Sequence, residues 1–181
     1  AARFSAEELD AMRRLPLCWR PPDAPELLVV HAGARSVSDH VHPHTPDARV
    51  EAAFAGVEAR LIVRGHNHLP SVRCWRGRTI VTAGSVGMPL DGTTDAKFVL
   101  LERGSEGAWS HRHVAVPYPV AETVKRFRED GYLEETGAMA RLLLREIATG
   151  THQMTPFLRY WQEEPHLESL SEAVESFLVA Y

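Results

Sequence analysis

The chain has 181 residues, of which 44% are hydrophobic and 24% charged, with a formal net charge of −4. That balance excludes a disordered polymer, and no apolar run approaches the ~20 residues that a membrane helix needs, so no membrane partner is expected. The mildly acidic charge gives no basis for non-specific nucleic-acid binding, and nucleic acid is not an expected partner.

In chain order, Ser5 and Glu8 have the spacing of a capping box, Leu9 and Met12 give an apolar face, and Pro16 stops the first helix. Leu27 to Val30 is a compact apolar run that ends at His31 and Gly33, the pattern of a buried strand. Thr45-Pro46-Asp47 reads as N-cap, first-position proline and first-turn acid, with Val50, Ala53, Phe54 and Val57 on one helical face. Leu61, Ile62 and Val63 form the next buried strand, which completes a βαβ-like unit. Short strands follow at Ser71–Trp75, Thr79–Thr82, Ala96–Leu101 and Trp109–Val116, with turns at Gly77 and over Gly104 to Gly107, the pattern of an antiparallel meander.

From Val120 the periodicity becomes helical. Val120, Val124 and Phe127 line one face before Gly131, and Met139, Leu142, Leu143 and Ile147 line the next before Gly150. Thr155-Pro156 opens a third helix that Pro165 ends, and Ser169 with Glu172 caps a last one. Phe157, Tyr160 and Trp161 stand at helical spacing as packing for this tail. The expected division is residues 1–118 and 119–181, where strands give way to helices.

Cys18 and Cys74 lack the spacing of a metal or disulfide framework and are expected as buried thiols. With no basic-then-apolar leader, a cytoplasmic location is expected. The first residue is Ala1 rather than methionine, so a preceding segment is expected to have been removed.

His66 and His68 directly follow a buried strand in a turn opened by Gly65, and His31 follows the strand before it. Ligand sites of open α/β sheets gather at the carboxyl ends of strands. Neighbouring strands lie about 4.8 Å apart, so imidazoles on two such ends are within reach of each other. Neutral imidazole is the commonest metal ligand, and two of them one residue apart in a tight turn suit two ions better than one. His40, His42 and His44 alternate through the loop after His31 and are expected as solvated loop residues, His111 and His113 as exposed strand residues.

The stretch Leu28-Val29-Val30-His31-Ala32-Gly33 resembles the apolar strand ending in His-Gly of the calcineurin-like metallophosphoesterases, in particular their small bacterial phosphodiesterase branch. Gly65-His66-Asn67-His68-Leu69-Pro70 resembles that family's Gly-His-Thr-His-x-Pro, with Asn67 in place of threonine. Thr82-Ala83-Gly84-Ser85-Val86-Gly87-Met88-Pro89 resembles its Asn-Pro-Gly-Ser-Val-Gly-x-Pro, with Thr82-Ala83 in place of Asn-Pro. The helix over Ser5–Leu15 also has its counterpart there, so the resemblance covers roughly residues 5 to 118.

The resemblance implies an α/β fold, part of an α/β/β/α sandwich with a mixed or antiparallel sheet and a helical C-terminal extension. It implies hydrolysis of phosphomonoesters or phosphodiesters at a dinuclear centre, with His31 and His66 on one divalent ion and His68 on the other. Manganese is the first expectation, with iron, zinc, nickel and cobalt as alternatives. Two glycines, Gly84 and Gly87, would bring their loop against the metal-bearing turn. A phosphate-ester small molecule or a nucleotide is the implied substrate, with Arg35 and Arg64 as weak candidates for touching its phosphate.

Asp-x-His, Gly-Asp-x-x-Asp and Gly-Asn-His-Asp do not occur in the chain. These motifs would supply the bridging carboxylate and the catalytic histidine, so no catalytic residue is assigned within the chain, which alone is expected to be inactive. The other reading is a non-catalytic metal-binding or partner-binding scaffold. The helical tail is expected to serve as a homodimer contact or a substrate lid.

Overall fold

A computed structural model describes residues 4–164 and 166–181. The chain divides into two compact units: the first runs to Asn67 and resumes over Ser71–Thr82, and the second comprises His68–Pro70 and Ala83–Tyr181. In the first unit, α1 (Ala6–Arg13) begins on the expected capping box. The Ser5 side chain accepts from the Glu8 amide at 3.2 Å, and the Glu8 carboxylate accepts from the Ser5 amide at 2.8 Å.

Beyond α1 come β1 (Cys18–Trp19), β2 (Leu27–Val30), α2 (Asp47–Ala53), β3 (Leu61–Arg64), β4 (Ser71–Trp75) and β5 (Arg78–Thr82). They form one five-stranded mixed sheet in the order β1-β2-β3-β5-β4. The three central strands are parallel, with Leu28 beside Ile62 and Ile62 beside Ile80, and the two edge strands run antiparallel to them. One face is covered by α2: Leu28, Val30, Ile62 and Ile80 pack with Val50, Ala53, Phe54 and Val57. Full burial of such side chains contributes about 1.5–3 kcal/mol each, enough to make this face the organising core of the unit.

Two local expectations change. Thr45 does not cap α2: its hydroxyl accepts the His42 amide at 2.9 Å, and Pro46 occupies the cap position without a side-chain bond. The antiparallel meander breaks after its first hairpin. Ile80 and Val81 are both buried, so β5 needs cover on both faces and takes a central place beside β3.

The second unit holds β6 (Ala96–Arg103) and β7 (Trp109–Val116), an antiparallel pair forming a sheet of its own. Five helices follow: α3 (Val120–Glu129), α4 (Tyr132–Thr136), α5 (Met139–Thr149), α6 (Met154–Glu163) and α7 (Leu170–Ala180). Leu142, Phe157, Ala173, Val174 and Phe177 form the core of the last three, with Tyr160 and Trp161 packed against it as expected of the tail. Ser169 caps α7 through the Glu172 amide, but the Glu172 carboxylate accepts from Glu168 rather than closing a capping box. The expected helix stop at Pro165 lies outside the described residues.

The loop before β6 is bonded to the end of α5, where the Gly92 amide meets the Gly150 carbonyl at 2.9 Å, so contacts cross the change of element type at residue 118. The chain thus has the expected α/β character, a mixed sheet followed by helices. No helix among the described residues is long and apolar enough to cross a membrane.

Candidate functional site

Parallel pairing of β2 with β3 carries the register past the ends of both strands. The Gly65 amide donates to the His31 carbonyl at 2.9 Å, which sets His31 level with Gly65 at the carboxyl edge of the sheet. The chain then turns at once. The Asn67 amide donates to the Gly65 carbonyl at 2.9 Å, closing a three-residue turn about His66, whose φ is +70°. His68 also has a positive φ, +59°. Left-handed backbone at a non-glycine residue costs of order 1–3 kcal/mol and persists where the surroundings over-determine it, commonly at functional sites.

This turn places the His66 ring 5.2 Å, centroid to centroid, from the His31 ring. The His40 ring stands 4.6 Å from His66 on another side. Two imidazoles bound at ~2.0–2.1 Å to one ion would have centroids roughly 4.5–5.5 Å apart, so both pairs have the separation that ion sharing requires. His31 and His40 are exposed and His66 is half-buried, with its Nε2 atom shielded from solvent. Separation alone is not coordination. Among the described residues no group of three or more His, Cys, Asp or Glu side chains is disposed to hold a metal ion. The cluster offers imidazole nitrogen donors from His31, His40 and His66.

Arg64 and Asn67 secure this edge. Arg64 is 1% exposed, and its guanidinium donates to the carbonyls of Ala32 at 2.7 Å, Val41 at 2.6 Å and Asp39 at 2.7 Å. Asn67 Nδ2 donates to the Val41 carbonyl at 2.6 Å. Together they fold the loop after His31 back over the strand ends, which delivers His40 to His66. At Gly33 the same loop runs so close that a Cβ would meet Asp39 Oδ2 at 2.0 Å. Arg64, a weak candidate for touching phosphate, thus directs its donors to main-chain carbonyls. Burial lowers its pKa to about 10, against the opposing pull of Asp39. Arg35 is exposed on the same loop.

His40 is exposed, as expected of a loop residue, and in addition stands against the His66 ring. Nothing local marks it, because its position follows from the Arg64 bonds to a loop more than twenty residues away. His42 and His44 are exposed as well, with ring centroids 6.5 Å apart. The thiols divide: Cys18 is half-buried with its Sγ 3.2 Å from the Ala34 carbonyl, whereas Cys74, expected buried, is exposed on the edge strand β4.

His68 belongs to the second unit and is fixed there by the loop over residues 84–88. Its Nδ1 lies 2.8 Å from the Met88 carbonyl. A carbonyl only accepts, so Nδ1 carries the proton and Nε2 of the neutral ring keeps its lone pair, the tautomer a metal ligand needs. The loop is itself tied down, the Met88 amide to Ser85 Oγ at 3.1 Å and the Lys97 amide to the Ser85 carbonyl at 3.0 Å. Gly84 has φ +91°, and a Cβ there would come within 2.9 Å of Pro70 and 3.1 Å of Lys97, so the loop closes on the His68–Pro70 segment only with glycine. Gly87 has no such role, since its φ is not positive and a Cβ would meet nothing within 4 Å.

No known protein family and no curated protein matches the sequence. Among solved structures, a hypothetical protein from Pyrococcus horikoshii OT3 superposes with a TM-score of 0.63 at 18% identity, over 81% of this chain and 56% of that one. The likeness is one of fold. The chain spans little more than half the length of that neighbour. Vps29 of Entamoeba histolytica complexed with zinc aligns at TM-score 0.32 and 14% identity, over 49% of this chain and 54% of that one. Vps29 of Chaetomium thermophilum aligns at 0.35 and 14%, over 64% and 66%. Superpositions this loose decide neither fold nor function.

Proposed function

We propose that this chain is the histidine-bearing part of a metal-dependent phosphoesterase that acts on small phosphate esters or nucleotides. In this reading His31 and His66 serve one divalent ion and His68 the other, with manganese preferred and the carboxylates coming from outside these 181 residues. The observation that carries it is the meeting of the His31 and His66 rings, 5.2 Å apart, where adjacent parallel strands end in a left-handed turn. Support also comes from His68, whose Nδ1 is committed to a carbonyl and leaves Nε2 for a ligand.

Divalent ions at such a centre supply an activated hydroxide and neutralise charge on the phosphoryl oxygens. This chain's part is to hold neutral imidazoles in place: Arg64 and Asn67 brace the His31–His66 edge, and the Met88 carbonyl orients His68. A cytoplasmic setting accords with reduced thiols at Cys18 and Cys74.

The test is manganese-dependent hydrolysis of bis-p-nitrophenyl phosphate by the full-length protein. Loss of one ligand is expected to cost several kcal/mol of transition-state stabilisation, so His66→Ala should lower kcat/KM by more than about 100-fold. Full activity in that variant refutes the assignment. A second reading, a non-catalytic scaffold, is favoured by the absence of a three-ligand group among the described residues. It expects no manganese-dependent turnover.

A further inference from the structure

Glu146 in α5 is 2% exposed, deep burial for a carboxylate that the proposed function does not use. Its Oε1 accepts the backbone amides of Gln153 at 2.7 Å and Met154 at 3.1 Å, which ties the start of α6 to α5. The same oxygen lies 2.9 Å from Nδ1 of His152. Backbone amides can only donate, so Oε1 is an acceptor and His152 Nδ1 must carry the hydrogen. On the neutral ring the lone pair then belongs to Nε2, which lies 2.8 Å from Thr155 Oγ1. The hydroxyl is the donor in that contact.

The result is a hydroxyl, a base and a buried carboxylate in series, with the proton direction set by the carboxylate. Bracing α6 requires Glu146 alone. The His152–Thr155 bond lies among exposed residues, where a neutral hydrogen bond adds little stability. Thr155 is the second residue of α6, at the positive end of a ten-residue helix, which favours negative charge developing on its oxygen.

We propose that Thr155 is an activated nucleophile, with His152 as its general base and Glu146 as the residue that positions His152. It is directed at small, activated carboxylic esters, since the hydroxyl faces solvent. Thr155 Oγ attacks the ester carbonyl carbon as His152 Nε2 takes the hydroxyl proton. The bond from acyl carbon to the alcohol oxygen breaks, and the alcohol leaves with that proton. Water, deprotonated in the same way, then releases the acid and restores the hydroxyl.

The experiment treats the full chain with p-nitrophenyl acetate and locates acetyl groups by peptide mass mapping, with p-nitrophenolate release followed in parallel. Acetyl-Thr155 is expected in the wild type, with the site blank in Thr155→Val. Its formation should be slower on the order of 100-fold in both His152→Ala and His152→Gln, each checked for folding by circular dichroism. Acetylation confined to lysines, or Thr155 acetylation unchanged in the folded His152 variants, overturns the proposal.

Discussion

Replacing Arg64 by methionine isolates the brace beneath the histidine edge, because methionine keeps the aliphatic stem and removes the fork. Three main-chain carbonyls lose their donor, at Ala32, Asp39 and Val41, of which the first and last belong to buried residues. An orphaned buried acceptor costs about 1–3 kcal/mol, so at the middle of that range the three put roughly 6 kcal/mol at stake. Against this, the variant no longer buries a charge. Desolvation lowers the Arg64 pKa to about 10, a displacement worth on the order of 3 kcal/mol. The net expectation is a loss of about 2–3 kcal/mol, which at a urea slope near 2 kcal/mol/M lowers the midpoint by roughly 1 M. Arg64→Lys should recover only a fraction, since an ammonium cannot span three carbonyls held at fork spacing. Equilibrium urea unfolding by far-UV circular dichroism is the assay. An unchanged midpoint in Arg64→Met would refute the claim that this guanidinium holds the loop carrying His40.

Gly84→Ala should cost about 1–3 kcal/mol, because φ +91° is strained for alanine and the new methyl strikes Pro70 and Lys97; a lowered thermal midpoint checks it. Phe157→Ala removes a fully buried ring that stacks on Trp161 and meets Phe177 edge to face, with an expected loss of about 3–5 kcal/mol by calorimetry. Burial raises the Asp91 pKa, but hydrogen bonds from Lys97 and Thr93 and the Lys97 charge outweigh it, so the folded-state value lies below the ordinary 3.8. The stability this carboxylate contributes is therefore present above its unfolded value and lost as pH falls through the lower folded one. Asp91→Asn should thus be less stable than wild type at pH 7, with the gap closing progressively below about pH 4; denaturation across pH measures it.

Local order was legible in the sequence because its causes are local. The Ser5–Glu8 capping box, the strand Leu27–Val30 and the hairpin strands Ser71–Trp75 and Trp109–Val116 follow from capping chemistry and apolar periodicity within a few residues. The placement of His31 and His66 at neighbouring strand ends was legible too, since a buried strand, a helix and a second buried strand fold back in parallel. Tertiary structure alone decided that β5 joins β3 instead of continuing a meander, because only packing settles which apolar run is covered on both faces. It also decided that Arg64 is a brace and that His40 meets His66. Those outcomes depend on hydrogen bonds between residues 23 to 32 positions apart, a distance over which neither periodicity nor motif spacing carries information.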